Sequence, residues 1–271
     1  MRVQTLALLV AALVLLTPLW IALGRLGRRR WRRRHGPRAL AAPARALLLA
    51  HCPLYRRSPV TVRLAAEERT LELLEQLRFI GCDGLQVSEE MRLLVAFQAG
   101  LLLGRFGCGV CSELSGVLLY PDSFLVPRSH VDDAGVVTES EEPLSGETLE
   151  TARIVLSWAD VQAGLEAGDG YNVVLHEFAH FLDHALDGSL SAPAPEQTWH
   201  GLLQREYAAL RAAVAAGRPT LIDPYGAEDQ SEFFAVATET FMERPRELAA
   251  QHRQLYQALA RIYALDPAGW P

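Results

Sequence analysis

The stretch Tyr171–Asp183, YNVVLHEFAHFLD, sets the hardest condition on how this chain folds. Val173, Val174, Leu175, Phe178, Ala179 and Leu182 recur as they would on a buried helix, yet two histidines and a glutamate sit among them. Ionisable groups on a buried helix are costly unless they are paired or hold an ion. His176 and His180 are four residues apart, so on a helix both imidazoles leave one face and can reach one ion. Glu177, turned by about 100°, can stand beside that ion without ligating it. The same pattern also fits a buried helix whose histidines are only hydrogen-bonded.

A catalytic zinc site needs a third protein ligand and an open position. The metzincin continuation requires Gly and His at 183 and 186, where this chain has Asp183 and Leu186, so that class is excluded. His184 follows His180 by four, but three ligands along one straight helix surround an ion poorly. A later apolar segment, DQSEFFAVATETF from Asp229 to Phe241, offers Glu232 and Glu239 seven residues apart on one face. Asp229 with Glu232 also resembles a capping box, an N-terminal device with no chemistry. Spacing leaves the ligand and capping readings of Glu232 level. Glu239 and Asp183 are each readable as a group orienting a ligand imidazole or as packing.

The N-terminus poses a separate question. No charge occurs between Val3 and Gly24, and these 22 residues would span roughly 33 Å as a helix, enough for a bilayer core. Arginines crowd immediately after it, at 25, 28–30 and 32–34. Residues 1–38 hold nine arginines and no acid, whereas the rest sets 17 arginines against all 32 acids, a formal -15. The basic weight follows the apolar run, and no small-residue cleavage site precedes it, which argues for an uncleaved anchor and not a signal peptide. Taken with the positive-inside rule, this predicts a single-pass protein of a bacterial inner membrane, its arginines against lipid head groups and its main domain in the cytoplasm. The acidic body excludes direct nucleic-acid binding, which needs clustered cations. The expected organisation is an anchor over 1–26, a basic and Pro/Ala-rich linker over 27–44, and one domain over 45–268.

Within that domain, Ser88-Glu89-Glu90 precede a long apolar run and predict a capped, buried helix reaching about Leu103. Residues 116–120 and 152–158 read as short strands, with an acidic surface loop over 128–151 between them. Beyond Tyr171 the chain reads as helical, broken at 187–196 and 217–229. Strands and helices do not alternate, so the expected class is α+β with a small mixed sheet. Cys52, Cys82, Cys108 and Cys111 include one isolated CxxC, too few ligands for structural zinc, and read as ordinary thiols.

Four motifs in order, EMRLLVAFQAGLLLG at 90–104, HEFAHFLD at 176–183, DPYGA at 223–227 and SEFFAVATETF at 231–241, together resemble the Mlc titration factor A family of zinc peptidases. The resemblance covers roughly residues 45–268 and leaves out the apolar run and the arginines. It implies a zincin-like fold with a catalytic core like that of anthrax lethal factor. It further implies one zinc ion per chain, held by His176, His180 and Glu232, with Glu177 as general base. Tyr225, seven residues before Glu232, would donate a hydrogen bond to the transition state. Phe181 departs from the pattern, standing where Lys or Gln is usual. The implied activity is aminopeptidase-like hydrolysis of a peptide or protein substrate. The implied alternative is a membrane-tethered regulator that binds and sequesters a transcriptional repressor, after the family's namesake.

Overall fold

Every residue from Leu93 to Leu103 is buried, and so is every residue from Phe233 to Glu243. A helix buried on all sides belongs at the centre of a protein, and these two segments form the inner layer of this one. The computed structural model describes residues 39–106, 110, 114–122, 152–166, 168–186 and 199–271. Residues Leu40–Pro271 form one compact unit.

The elements run α1 (Ala42–His51), α2 (Pro53–Arg57), α3 (Val60–Gln76), β1 (Arg78–Gly81), α4 (Glu89–Leu103), β2 (Leu114–Tyr120), β3 (Ala152–Ser157), α5 (Trp158–Glu166) and α6 (Val173–Ala185). They continue with α7 (Trp199–Ala215), a 3-10 turn (Pro224–Ala227), α8 (Gln230–Glu243), α9 (Pro245–Gln251) and α10 (Arg253–Tyr263). Helix α4 starts where the sequence signals it, with the Ser88 hydroxyl accepting the Met91 N–H at 3.2 Å. It packs against α3 and against α6. Phe97, Phe178, Phe233, Phe234 and Phe241 are fully buried in one continuous core. Each such side chain contributes about 1.5–3 kcal/mol by leaving water.

The fold corrects the expected class. Among the described residues the chain is mostly helical, and its three strands pair in parallel, in the order β1-β2-β3, in place of the expected mixed sheet. Arg78 pairs with Gly116 and Gly81 with Leu119, while Val117 pairs with Ile154 and Tyr120 with Ser157. Parallel neighbours need long crossovers, and β1-α4-β2 is such a unit. Strand β1 has only four residues and alternates between exposed and half-buried positions, so it lacks the apolar run that marks a buried strand. Gly116 is required where it stands, because a Cβ there would lie 2.6 Å from the Arg78 carbonyl oxygen of β1.

The expectation of a membrane-spanning segment is corrected as well, and with it the placement at an inner membrane. Among the described residues no helix is long and apolar enough to cross a membrane. The anchor over 1–26, most of the linker over 27–44, Cys108 and Cys111 lie outside the described residues. Cys52 and Cys82 are free thiols, and complete burial pushes that of Cys52 up to about 12.

Candidate metal centre

Helix α6 begins at Val173 because Asn172 stops the preceding loop in an extended conformation and caps the first turn, its Oδ1 accepting the Leu175 N–H at 3.2 Å. Val174, Leu175, Phe178, Ala179, Phe181 and Leu182 then face the core. The opposite stripe carries His176 and His180 towards α8. Helix α8 has its own cap, the Asp229 carboxylate accepting the Glu232 N–H at 2.8 Å.

Half of a capping box is therefore present at Asp229, and Glu232 has a second engagement. Its carboxylate points across to α6, with Oε2 3.1 Å from His176 Nε2 and 3.3 Å from His180 Nε2. The two Nε2 atoms are 3.0 Å apart, and the rings meet edge to face. His176, His180 and Glu232 form a cluster able to hold one metal ion, their ligand atoms all within 4.8 Å of one another.

The outer nitrogens of both rings are already engaged. His176 Nδ1 lies 2.8 Å from Glu239 Oε1, and His180 Nδ1 lies 3.0 Å from the Ser231 hydroxyl. A proton on His176 Nδ1 satisfies the Glu239 carboxylate and leaves Nε2 as a lone pair. Donation from His180 Nδ1 to Ser231 does the same for the second ring. Glu232 Oε2 is buried and faces the two ring Nε2 atoms without a well-formed hydrogen bond to either. Two lone pairs and a carboxylate oxygen at about 3 Å repel one another unless a cation lies among them. Two imidazole nitrogens and one carboxylate oxygen are a donor set that suits zinc.

The ionisation of these groups has the same origin. Burial opposes charge on His176, but Glu232 and Glu239 outweigh it and push the imidazole up to about 10. Burial likewise opposes charge on Glu232, and the two imidazoles outweigh it, holding the carboxyl well below the usual range. Without a metal ion these charges favour a proton on the His176 imidazole. Glu177 behaves differently. Burial raises its carboxyl, and the two imidazoles only partly offset that.

Tyr225 reaches the site from the 3-10 turn, which the Asp223 carboxylate caps by accepting the Tyr225 N–H at 2.8 Å. Its ring centroid is 6.1 Å from that of His176, and the residue is 40% exposed. The structure thus brings His176, His180, Glu232 and Tyr225 together. Of the two second-rank acids, Glu239 contacts a ring nitrogen of the cluster. Asp183 is buried, and so is Phe181.

The residues behind the cluster were not foreseen from the sequence. Ser231 holds His180, and Asn172 donates its backbone N–H to Glu239. The Asn172 amide donates to Gln98 Oε1 at 2.7 Å and to Glu243 Oε1 at 3.0 Å, and Arg57 Nη2 lies 3.1 Å from Glu243 Oε2. One signal was available: Asn172 is the only asparagine in the chain. Gly164 on α5 lets its backbone come close, since a Cβ there would lie 3.2 Å from the Asn172 Cα.

Comparison with known proteins covers the stretch of chain that holds these residues. The family model described as glucose-regulated metallo-peptidase M90 matches residues 27–264. A protein of Synechocystis sp. that has no assigned function is 37% identical over 231 residues, 82% of this chain and 83% of its own length. Proteins named Mlc titration factor A are 30% identical: that of Serratia proteamaculans over 72% of this chain and 77% of its own, that of Yersinia pestis over 72% and 75%.

Proposed function

The chain belongs to the glucose-regulated metallo-peptidase M90 family, and from that premise we propose that it is a zinc-dependent peptidase, aminopeptidase-like in its preference. One observation carries the reading. Two histidine nitrogens and a buried carboxylate oxygen converge from two separate helices on a point that could hold a cation. His176, His180 and Glu232 would hold the ion, and the carboxylate of Glu239 would keep the His176 ring oriented. Zinc, when bound, supplies a Lewis acid that acidifies water and polarises the scissile carbonyl.

The chain's own groups do the rest. Glu177 accepts the proton of the attacking water and returns it to the leaving amine as the C–N bond breaks. Burial favours this, because it raises the carboxyl above its ordinary value and so strengthens it as a base. The Tyr225 hydroxyl donates to the carbonyl oxygen as negative charge develops there.

The test uses the full chain with aminoacyl anilides and short peptides. Hydrolysis should stop with a chelator and return with zinc, and Glu177→Gln should keep its metal while losing about 10²–10⁴-fold in turnover. Full activity in Glu177→Gln sinks the mechanism.

A second reading has one observation in its favour: several relatives carry the name Mlc titration factor A. On that reading the chain binds and holds back a transcriptional regulator. Capture of such a partner equally by the native chain and by Glu177→Gln, with no peptide cleaved by either, would support it over the peptidase.

A further inference from the structure

Asn172 is 2% exposed where the chain enters α6, and each of its polar groups has a partner. The side-chain Oδ1 caps the helix at Leu175, while Nδ2 donates to Gln98 of α4 and Glu243 of α8. The backbone carbonyl accepts the N–H of His176 itself at 3.0 Å. The backbone N–H donates to Glu239 Oε2, and the other oxygen of that carboxylate meets His176 Nδ1. His176 is thus held twice through Asn172, once by its backbone and once through Glu239 on its ring.

We propose that Asn172 is the positioning residue of the metal centre, a junction that ties α4, α6 and α8 together and fixes the direction of the His176 lone pair. The inference rests on the metal-centre reading above.

Only asparagine meets all the demands at this position. Serine keeps a capping oxygen but reaches neither Gln98 nor Glu243. Aspartate keeps the cap and the shape but replaces the Nδ2 donor with an oxygen. That oxygen faces Gln98 Oε1 and the Glu243 carboxylate at the 2.7 and 3.0 Å now spanned by hydrogen bonds. Gln98 can answer by turning its amide, giving up the bond from Nε2 to the Leu94 carbonyl. As a carboxylate Glu243 has no donor to offer, and its second oxygen is held by Arg57. Repulsion would therefore move the α6 entry away from α8, taking the Asn172 N–H from Glu239 and the imidazole out of line. Changing Glu243 to glutamine reverses the polarity, since its amide can donate to the new carboxylate while its carbonyl still faces Arg57.

The experiment compares the full-length native chain with Asn172→Asp, Glu243→Gln and the double variant. Zinc affinity is read by competition with a chromophoric chelator, and site geometry by the visible spectrum of bound Co2+. Thermal midpoints in excess chelator report the metal-free fold. Asn172→Asp should lose about 10–100-fold in zinc affinity, the range seen when outer partners of metal ligands are removed. Its Co2+ spectrum should change, and Glu243→Gln in the same chain should restore both. A merely structural role would lower the metal-free midpoint and leave the Co2+ spectrum as in the native chain. Native affinity and spectrum in Asn172→Asp, or a folded double variant with no recovery, overturns the proposal. If Asn172→Asp fails to fold, Asn172→Ser keeps a cap and adds no charge, and native affinity there is equally decisive. A native chain that takes up neither zinc nor Co2+ removes the metal-centre reading itself, a result distinguishable from all of these.

Discussion

Glu232 and Glu239 stand seven residues apart on one helix and face the two nitrogens of the same imidazole. Glu232 Oε2 is 3.1 Å from His176 Nε2, and Glu239 Oε1 is 2.8 Å from His176 Nδ1. Seven residues are nearly two helical turns, so both carboxylates leave one face and the ring fits between them. The two acids are chemically identical and differently placed: one can share an ion with His176, the other is hydrogen-bonded to its ring.

Replacing Glu232 separates ligation from capping. In Glu232→Ala the Asp229 cap survives, because it uses the backbone N–H. The metal-free fold should thus lose only the stability that the Glu232–His176 ion pair supplies, while zinc affinity falls by more than the about 10–100-fold typical of outer partners. Metal analysis of the purified variant is the check, and native zinc content would leave Glu232 a helix-start residue only.

Tyr225→Phe removes one hydroxyl from a ring that is 40% exposed. The expected result is a loss of about 10²–10³-fold in kcat, the usual cost of an oxyanion donor. KM, zinc content and thermal midpoint should stay at native values. A rise in KM with kcat intact would make Tyr225 a substrate-binding residue instead.

Gly164→Ala probes the support of the site from behind. The added methyl would sit 3.2 Å from the Asn172 Cα, so the α6 entry must shift by a few tenths of an ångström. Stability should fall by about 1–3 kcal/mol, as for other overpacked positions. Zinc affinity should fall with it. Unfolding by urea alongside a zinc titration tests both, and native affinity in a destabilised variant would uncouple α5 from the site.

The pH dependence of zinc uptake follows from the metal-free charges. His176 is raised from an ordinary 6.5 to about 10, so at neutral pH its ring carries a proton that must leave when an ion binds. Below about 10 zinc competes with that proton and above it does not, so affinity should climb with pH, about tenfold per unit for one displaced proton. The same raised value makes the charged His176 a source of metal-free stability that is fully present below about 6.5 and lost as pH rises through about 10. Calorimetry between pH 6 and 8, in buffers of differing ionisation heat, should find about one proton released per zinc. No release would show that the metal-free pair is already unprotonated.

Much of the site was legible because helical spacing is a local rule. His176 and His180 at four residues, and Glu232 and Glu239 at seven, each declare a common face without any tertiary knowledge. Spacing could not say that these two faces look at each other, since 51 residues separate His180 from Ser231 and the meeting depends on how α6 packs on α8. Capping chemistry located the starts of α4 and α8, at Ser88 and Asp229. The second job of Asn172 stayed hidden, because its partners Gln98 and Glu243 lie 74 and 71 residues away. The sheet was misjudged for a related reason. Strand β1 is too short and too exposed to show a pattern, so the crossover it opens went unseen and the pairing was expected to be mixed.

The seam between α6 and α8 has a further consequence for the stretch that joins them. His180 and Glu232 bracket a loop of chain that includes all of α7, and an ion held by both would close that loop as a staple does. A closed loop has fewer conformations available when the protein opens locally, so the staple penalises opening more than it strengthens any contact within the loop. Zinc would then act as a structural restraint on α7, a helix that supplies none of the donors. Limited proteolysis with and without a chelator reads this directly: cuts between residues 186 and 230 should quicken when the ion is stripped, and cuts elsewhere should not.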